Sequence, residues 1–242
     1  MKKIVISLYC YLFVMIWAMG CAFPLWATET SCSPNNKKIV YLTFDDGPTP
    51  KVTEDILDVL QAKNVKATFF VVGKEIKGRE HILKRIYEEG HGIGLHTYSH
   101  NFKVIYKNPE SFMMEMEKTQ RTINDVLGTE LIISPIRFPG GSARRLNKAF
   151  YEKLCQKGYL IFDWNVDLQD GIKGNLPPEA FLSNAQKCVD KGTRRIILAH
   201  CNSNNKNTCL ALSAIIDYYT KEGYTFKAID NKTPPYFFKF KK

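Results

Sequence analysis

Segments typical of strands and of helices alternate along most of this chain. Strand-like apolar runs occur at Lys38–Phe44, Ala67–Val72, Gly92–His96, Ile132–Phe138, Tyr159–Val166, Arg195–His200 and Thr225–Ile229. Segments with helical periodicity lie between them, at Val52–Lys63, His81–Glu89, Pro109–Leu127, Leu146–Gln156, Pro178–Asp190 and Leu210–Lys221. Because parallel strands need long crossovers, usually helices, this alternation predicts an α/β fold on a parallel sheet. With about seven parallel strands, we expect a distorted (β/α) barrel.

The N-terminal thirty residues differ from the rest of the chain. Lys2 and Lys3 precede an apolar stretch from Ile4 to Ala22. A basic start before an apolar run is typical of an export signal, and this run is nearly long enough to span a bilayer. We predict that residues 1–30 are a signal peptide or N-terminal membrane anchor, residues 31–37 a linker, and residues 38–242 the folded domain. A lipoprotein cleavage site before Cys21 and a buried core helix are the alternatives.

The net charge of +10 bears on the partners of the protein. Lysine and arginine are spread along the chain, and no recognition helix, finger or aromatic sheet signature accompanies them. We therefore expect no nucleic-acid partner. A basic exported protein suits an anionic cell-envelope polymer, although solubility alone explains the charge equally well. We expect a monomer that works outside the cell, in the cell wall or on the outer face of the membrane of a bacterium.

The cysteines indicate no structural zinc ribbon. Beyond the leader they are Cys32, Cys155, Cys188, Cys201 and Cys209, and no Cys-x-x-Cys pair occurs among them. In an exported protein, Cys201 and Cys209 could close a short disulfide loop, while an odd count leaves at least one thiol over.

Polar side chains stand at the ends of several predicted strands. Asp45, Asp46, His96, Arg137, Asp167 and His200 all lie at or just beyond such an end. The C-terminal ends of parallel strands meet at one rim, so these side chains are expected to converge. Asp46, His96 and His100 can then hold one divalent metal and leave positions open for water and substrate. Asp45 remains free to act as a base, which indicates metal-assisted hydrolysis.

The aspartate pair and the histidine pair each have a simpler interpretation when taken alone. Asp45-Asp46-Gly47-Pro48 is typical of a tight turn, because aspartate, glycine and proline all favour turns. His96 and His100 could be capping residues. Their combination in one chain favours the metal site.

Five motifs in order resemble a known family. They are Thr-Phe-Asp-Asp-Gly-Pro at 43–48, His-Thr-x-x-His at 96–100, Arg-x-Pro-Gly at 137–140, Trp-Asn-Val-Asp at 164–167 and the apolar run into His200. This set resembles the polysaccharide deacetylases, the NodB-homology domain of carbohydrate esterase family 4. The resemblance extends from about Lys38 to Ile229. It implies a NodB-like barrel and an enzyme that hydrolyses N-acetyl groups on a polysaccharide.

The resemblance also implies roles for the residues at the rim. Asp46, His96 and His100 bind one divalent metal, for which zinc is the first choice and Co2+, Ni2+ or Mn2+ are alternatives. Asp45 is the general base and Arg137 orients it.

A general acid is needed as well, because an amide nitrogen is a poor leaving group. By resemblance this acid is His200, held protonated and aimed by Asp170 or, as the alternative, by Asp167.

The resemblance assigns the substrate contacts less completely. The backbone N–H of Gly140 is the expected oxyanion donor, and Trp164 and Leu198 are expected to contact the substrate. The family usually carries tyrosine at the position of Gly140 and tryptophan at that of Gly171, so two aromatic walls are missing. The groove is then wider, or it is completed by other aromatic residues such as Trp164, Tyr98 or Phe102.

We therefore predict a hydrolase that deacetylates N-acetylglucosamine units of a cell-envelope polysaccharide. The leader and the basic charge favour peptidoglycan. A chitooligosaccharide, an exopolysaccharide or O-acetylated xylan is the alternative substrate. From other classes, a catalytically silent glycan-binding module rests on the missing walls, and a nucleic-acid-binding protein rests on charge alone.

Overall fold

The computed structural model describes residues 37–173 and 176–239. Its strands are β1 (Ile39–Asp45), β2 (Thr68–Val71), β3 (Gly92–Leu95), β4 (Pro135–Ile136), β5 (Leu160–Ile161), β6 (Val166–Asp167), β7 (Arg194–His200) and β8 (Thr225–Phe226). Its helices are α1 (Val52–Ala62), α2 (Glu80–Glu88), α3 (Phe102–Ile105), α4 (Pro109–Leu127), α5 (Lys148–Gln156), α6 (Pro178–Ala185) and α7 (Lys206–Lys221), with a 3-10 turn at Gly73–Ile76. The predicted signal peptide or anchor and Cys32 lie outside the described residues.

All paired strands of the sheet are parallel. They follow the order β5-β4-β3-β2-β1-β7-β6, and β8 pairs with the first residues of β1. Helices supply most of the crossovers between neighbouring parallel strands, as the alternation along the sequence requires. The predicted α/β class is confirmed, with seven strands in one continuous path.

The chain connectivity shows why this sheet must curl. Its two edges, β5 and β6, are consecutive along the chain and are separated only by residues 162–165. The step from Ile161 to Val166 spans at most about 18 Å. Seven strands laid flat would hold their edge strands roughly 29 Å apart at the usual spacing of about 4.8 Å. The sheet therefore closes on itself as a curled half-barrel, in agreement with the predicted distorted barrel.

Strand β1 illustrates how the sheet positions polar groups. One face of it packs in the large core between sheet and helices, through Val40, Leu42 and Phe44. Tyr41 lies on the other face, in a separate apolar cluster. Because side chains alternate along a strand, Thr43 and Asp45 share the face of Tyr41. Asp45, as the last residue of β1, stands at the C-terminal rim.

Two predicted elements are wrong in their extent because distant segments compete for their backbone. The predicted strand Tyr159–Val166 is in fact β5 and β6. Between them the Asp163 N–H donates to the Tyr236 carbonyl instead of to a neighbouring strand. The helix predicted over Pro178–Asp190 ends at Ala185, since Cys188 bridges to Val166 and takes the chain back to the sheet.

Two further predictions concern disulfides and the membrane. The described cysteines, Cys155, Cys188, Cys201 and Cys209, are free thiols, so the alternative of a Cys201–Cys209 disulfide is wrong. Burial raises the pKa of the Cys201 thiol well above its ordinary range. Within residues 37–173 and 176–239, none of the helices has the length and apolar character to cross a membrane.

Candidate active site

The strand ends bring the predicted polar residues together at one rim. Asp45 ends β1 and pairs in register with His200, which ends β7. His96 follows the last residue of β3, and Arg137 follows the last residue of β4. Since these strands run parallel in one sheet, their C-terminal ends lie at the same rim. A cavity of about 310 Å³ opens there.

Asp46, His96 and His100 form a cluster with the character of a metal site. Asp46 Oδ1 lies 3.6 Å from His96 Nε2 and 3.3 Å from His100 Nε2, and the three ligand atoms lie within 4.8 Å of one another. His96 Nδ1 lies 2.9 Å from the Arg137 carbonyl oxygen, which can only accept a hydrogen bond. Nδ1 therefore carries a proton, which leaves Nε2, the nitrogen that faces Asp46, as the ring atom able to bind a metal. This donor set fits a divalent cation.

The backbone around this cluster adopts conformations that L-residues rarely take. Asp46, Thr97 and His100 have φ values of 76°, 66° and 50°. Each such residue costs on the order of 1 kcal/mol, so the surrounding structure must hold it in place. Asn202 Nδ2 donates to Asp46 Oδ2 at 3.2 Å, and the His100 N–H donates to Thr97 Oγ1 at 3.2 Å. These hydrogen bonds help to hold the two loops in the conformation that brings Asp46 and His100 together.

Burial and nearby charges shift the pKa values of Asp46 and His100. Burial raises the pKa of Asp46, but interaction with His96, then with His200 and His100, outweighs burial and leaves that pKa below its ordinary value. Burial, followed by repulsion from His96, lowers the pKa of His100. Both shifts favour the forms that bind a cation, a carboxylate and a neutral imidazole.

Asp45 is held by a buried arginine rather than by the cluster. Arg137 is completely buried, and its Nη1 donates to Asp45 Oδ1 at 2.8 Å. The guanidinium also donates to Thr43 Oγ1 and to the carbonyl oxygens of Phe162 and Asp163. A guanidinium with four acceptors cannot swing away, so the Asp45 carboxylate is fixed while its Oδ2 remains 3.7 Å from His96 Nε2.

His200 is a cation in the wall of the same cavity. Its Nδ1 lies 2.7 Å from Asp170 Oδ1, and its backbone N–H donates to Asp170 Oδ2. Burial lowers the pKa of His200, but the hydrogen bond and charge of Asp170, with smaller contributions from Asp45 and Asp46, outweigh burial and raise the pKa to about 9. The ring is therefore protonated at neutral pH, with its Nδ1 committed to Asp170.

Of the two predicted partners for His200, the structure pairs it with Asp170. Asp170 is itself buried and accepts from Asn205 Nδ2 and Thr208 Oγ1. Asp167 instead accepts from the Gln169 N–H at 2.7 Å, which makes it part of a turn at the edge of the cavity.

The structure places some of the predicted substrate contacts in the cavity and others outside it. Gly140, Trp164 and Leu198 all line the cavity. Phe102 adjoins His100, with a ring centroid 5.6 Å from that of the imidazole, and the residue is 43% exposed. Tyr98 lies elsewhere, beneath the Lys118 ammonium. Trp164 is thus in the wall of the cavity, and Phe102 lies beside the cavity next to His100.

Gly171 has a structural consequence beyond the missing aromatic wall. A Cβ at this position would lie 2.5 Å from His200 Cε1 and 2.8 Å from its Nε2. The imidazole therefore occupies the space in which any side chain at position 171 would begin. A side chain at position 171 would therefore require the His200 ring or the backbone to shift.

Sequence reasoning missed several residues that bond charged groups of the site, namely Thr43, Asn202 and Thr208. Thr43 opens the Thr-Phe-Asp-Asp-Gly-Pro motif, whereas Asn202 and Thr208 belong to none of the five motifs. Thr43 could be inferred from strand alternation, since it shares a face with Asp45. Asn202 and Thr208 depend on the path of the chain after β7.

Known proteins resemble this chain over most of its length. A family model described as polysaccharide deacetylase matches residues 33–160. A peptidoglycan-N-acetylglucosamine deacetylase of Bacillus cereus is 34% identical over 195 residues, which are 79% of this chain and 69% of that protein. The chain belongs to the polysaccharide deacetylase family.

Solved structures of polysaccharide deacetylases share this fold. One from Bacillus cereus superposes with a TM-score of 0.73 at 33% identity and covers 84% of this chain and 97% of its own. A CE4 esterase of Streptococcus mutans gives a TM-score of 0.73 at 33% identity, with 80% of this chain and 87% of its own covered. The predicted family and the NodB-like barrel are confirmed, and this polysaccharide deacetylase is an enzyme by family.

Proposed function

We propose that this polysaccharide deacetylase hydrolyses the N-acetyl groups of N-acetylglucosamine units in peptidoglycan with the help of one divalent metal. The observation that carries the proposal is the arrangement around one cavity. The Asp46, His96 and His100 donors lie beside a fixed carboxylate, Asp45, and face a protonated imidazole, His200. An amide needs both a base and an acid to be cleaved, and this cavity offers both.

The proposed metal site would hold Zn2+. Two imidazoles and one carboxylate with open positions are typical of hydrolytic zinc sites, while Co2+, Ni2+ and Mn2+ are alternatives. When bound, the metal supplies Lewis acidity at the acetamide and makes water more acidic. The His96 ring is aimed for this role by its hydrogen bond to the Arg137 carbonyl.

Asp45 and His200 perform the proton transfers in the proposed reaction. Asp45 takes the proton from the attacking water, and Arg137 keeps its carboxylate in place during the transfer. His200 gives its proton to the amine nitrogen as the C–N bond breaks, with Asp170 stabilising the imidazolium until then. The products are acetate and a free amine on the glycan.

The Gly140 N–H is the proposed donor to the oxyanion. Gly140 lines the cavity, and no acceptor for its N–H occurs among residues 37–173 and 176–239. A backbone donor held ready in a partly enclosed cavity stabilises the charge that develops on the acetamide oxygen.

A second cavity supports peptidoglycan over a neutral glycan. It measures about 550 Å³, shares Asp46 and His100 with the first, and is also lined by Lys74, Glu75 and Arg79. Arg79 is paired with Glu75, whereas the half-exposed Lys74 ammonium is 3.8 Å from the nearest Glu75 oxygen. Lys74 thus offers a half-exposed ammonium group to the carboxylates that peptidoglycan carries and chitin lacks.

Lys74 provides a test of the substrate. Lys74→Gln should lower kcat/KM on peptidoglycan fragments about two- to fivefold, since one half-exposed charge contributes up to about 1 kcal/mol. The same change should leave chitin oligomers unaffected, and Lys103→Gln, an exposed lysine outside both cavities, is the matched control. Equal losses on the two substrates would show that Lys74 does not recognise the carboxylates of peptidoglycan.

The proposed site of action is outside the cell. The basic and apolar N-terminus is the observation behind it, and the protein would be released, retained in the wall or anchored to the outer face of the membrane. Fractionation of cells that express the full chain tests this, and recovery in the cytoplasm would contradict it.

Release of acetate is the direct test of the proposed function. We expect release from peptidoglycan that stops on addition of a chelator and returns with Zn2+. Asp45→Asn should retain zinc but release no acetate. Release from chitin oligomers or acetylated xylan alone would keep the chemistry and change the substrate. Binding of glycan without metal or acetate release would instead support a silent binding module.

A further inference from the structure

The peptide bond that joins Pro139 to Gly140 is held from outside the cavity. Its carbonyl oxygen accepts from Tyr106 Oη at 2.7 Å and from Arg145 Nη1 at 2.7 Å. Arg145 Nη1 also donates to the Gly141 carbonyl at 2.9 Å. A peptide unit is planar, with its C=O and N–H pointing in opposite directions. Fixing the Pro139 carbonyl therefore fixes the direction of the Gly140 N–H.

The Arg145 guanidinium also fills the place of a side chain at position 140. A Cβ on Gly140 would lie 2.8 Å from Arg145 Nη1 and 3.3 Å from its Nη2. Gly140 has a φ of 71°, a conformation that favours glycine. Arg145 can therefore occupy this position only because residue 140 has no side chain.

Two aromatic rings keep Arg145 in this place. The guanidinium carbon lies 4.4 Å from the ring centroid of Tyr106 and 5.0 Å from that of Phe102. Cation–π contacts of this kind, added to two hydrogen bonds to carbonyl oxygens, restrict a side chain that is otherwise flexible. Tyr106 therefore acts twice, as a donor to Pro139 and as a support for Arg145.

We propose that Arg145 is a positioning residue of this deacetylase: together with Tyr106 it holds the Pro139–Gly140 peptide so that the Gly140 N–H is aimed at the oxyanion. The inference rests on the proposed function, because it requires an acetamide oxygen in the cavity. It assigns to Arg145 and Gly140 a joint role that neither residue has alone.

Tyr106 and Arg145 both donate to the Pro139 carbonyl oxygen, and this sharing sets the expected effects of substitution on kcat. Loss of a whole oxyanion donor lowers kcat by about 10²–10³-fold in enzymes that use one. With Tyr106 still bound to the Pro139 carbonyl, Arg145→Ala should lower kcat by roughly tenfold and leave KM unchanged. Tyr106→Phe should cost less. The double variant should lose more than the product of the two single losses, because the carbonyl then has neither donor.

Arg144 provides a matched control. It is the neighbouring arginine, it is exposed, and no side-chain hydrogen bond joins it to any residue within 37–173 and 176–239. Arg144→Ala should therefore leave kcat unchanged. Zinc content and the pH profile should be unaffected in both variants, since neither arginine touches the metal ligands or His200. Arg145→Met, which keeps an unbranched stem against the rings, replaces Arg145→Ala if that variant does not fold.

A double-mutant cycle tests the steric part of the inference. Gly140→Ala places a Cβ against the guanidinium and should lower kcat roughly tenfold in the wild type. In the Arg145→Ala background the same substitution meets no guanidinium and should cost less than about threefold. Alanine at this φ strains the backbone equally in the wild type and in Arg145→Ala, so the strain cancels when the two effects of Gly140→Ala are compared.

An NMR measurement provides a readout that is independent of turnover. The Gly140 amide resonance should shift or broaden in Arg145→Ala and stay in place in Arg144→Ala. An unchanged Gly140 resonance, or equal kcat values in Arg145→Ala and Arg144→Ala, would overturn this inference and leave the proposed function standing. A wild-type protein that releases no acetate would overturn both.

Discussion

Asp170→Asn is the substitution whose consequences the structure determines most closely. Asp170 Oδ2 accepts from the His200 backbone N–H, from Asn205 and from Thr208, while Oδ1 faces His200 Nδ1. The amide oxygen of asparagine must take the place of Oδ2, where donors converge. Its NH2 group then faces His200 Nδ1, which can only accept from it. The imidazole is forced into the neutral form with the proton on Nε2.

The size of the effect follows from the pKa of His200. That pKa is raised to about 9 from 6.5, which corresponds to about 3.4 kcal/mol in favour of the protonated ring. Return of the pKa to 6.5 would reduce the protonated fraction at pH 8 from about 90% to about 3%, a loss of about 30-fold. Burial, which lowers this pKa, remains in the variant, so the loss at pH 8 should be at least that large.

The assay is the pH dependence of kcat/KM for acetate release. The alkaline limb reports the acid of the free enzyme, and it should lie near pH 9 in the wild type and move below pH 7 in Asp170→Asn. Zinc content serves as the control for folding of the site. Coincident alkaline limbs in the two proteins would refute the assignment of His200 as the acid held by Asp170.

The same shift makes a prediction about stability without metal. A pKa that is raised on folding stabilises the protein fully below the unfolded value of 6.5, and this contribution is lost as pH rises through about 9. With chelator present, wild type should therefore lose up to about 3.4 kcal/mol relative to Asp170→Asn across this window in urea unfolding. A constant difference between the two proteins would contradict this linkage.

Three further substitutions test other parts of the site. Arg137→Met leaves the buried Asp45 without its cation and should lower the free energy of unfolding in urea by about 3–5 kcal/mol, and a loss below 1 kcal/mol would contradict the buried pair. Asp46→Ala should abolish zinc binding, measured by elemental analysis, while circular dichroism is unchanged; zinc retained at wild-type level would remove Asp46 from the ligand set. Gly171→Ala should lower kcat at least about tenfold at unchanged zinc content, because its Cβ displaces the His200 ring, and wild-type kcat would show that the ring can adjust.

Local signals account for the elements that were predicted well. Helix α4 begins and ends where the sequence indicates, at Pro109 and Leu127. Asn108 caps its first turn by accepting from the Ser111 N–H, and Gly128 ends it with a φ of 63°. Both signals lie within a few residues of the boundary they set, so they are visible in sequence.

Non-local contacts account for the elements that were predicted less well. The division between β5 and β6 depends on the segment near Tyr236, which takes the hydrogen bond of Asp163. Helix α7 begins at Lys206, four residues before the predicted start at Leu210. The first turn of α7 contains polar residues, so it shows no apolar periodicity. Its Thr208 hydroxyl donates to Asp170 instead of packing in the apolar core. Partners that are tens of residues away leave no periodic pattern to read.

Residue types and short spacings determined the chemistry of this protein. Asp45, Asp46, His96 and His100 come from two segments that each end a strand, and parallel strands must end at one rim, so their convergence followed from the sequence. Most of the donors and acceptors around the charged groups did not follow from it. Only the folded chain decides between Asp170 and Asp167 as the partner of His200, and only it places Arg145 where a side chain on Gly140 would begin. The physical reason is that a hydrogen bond depends on distances of a few tenths of an ångström, which packing sets and sequence spacing does not.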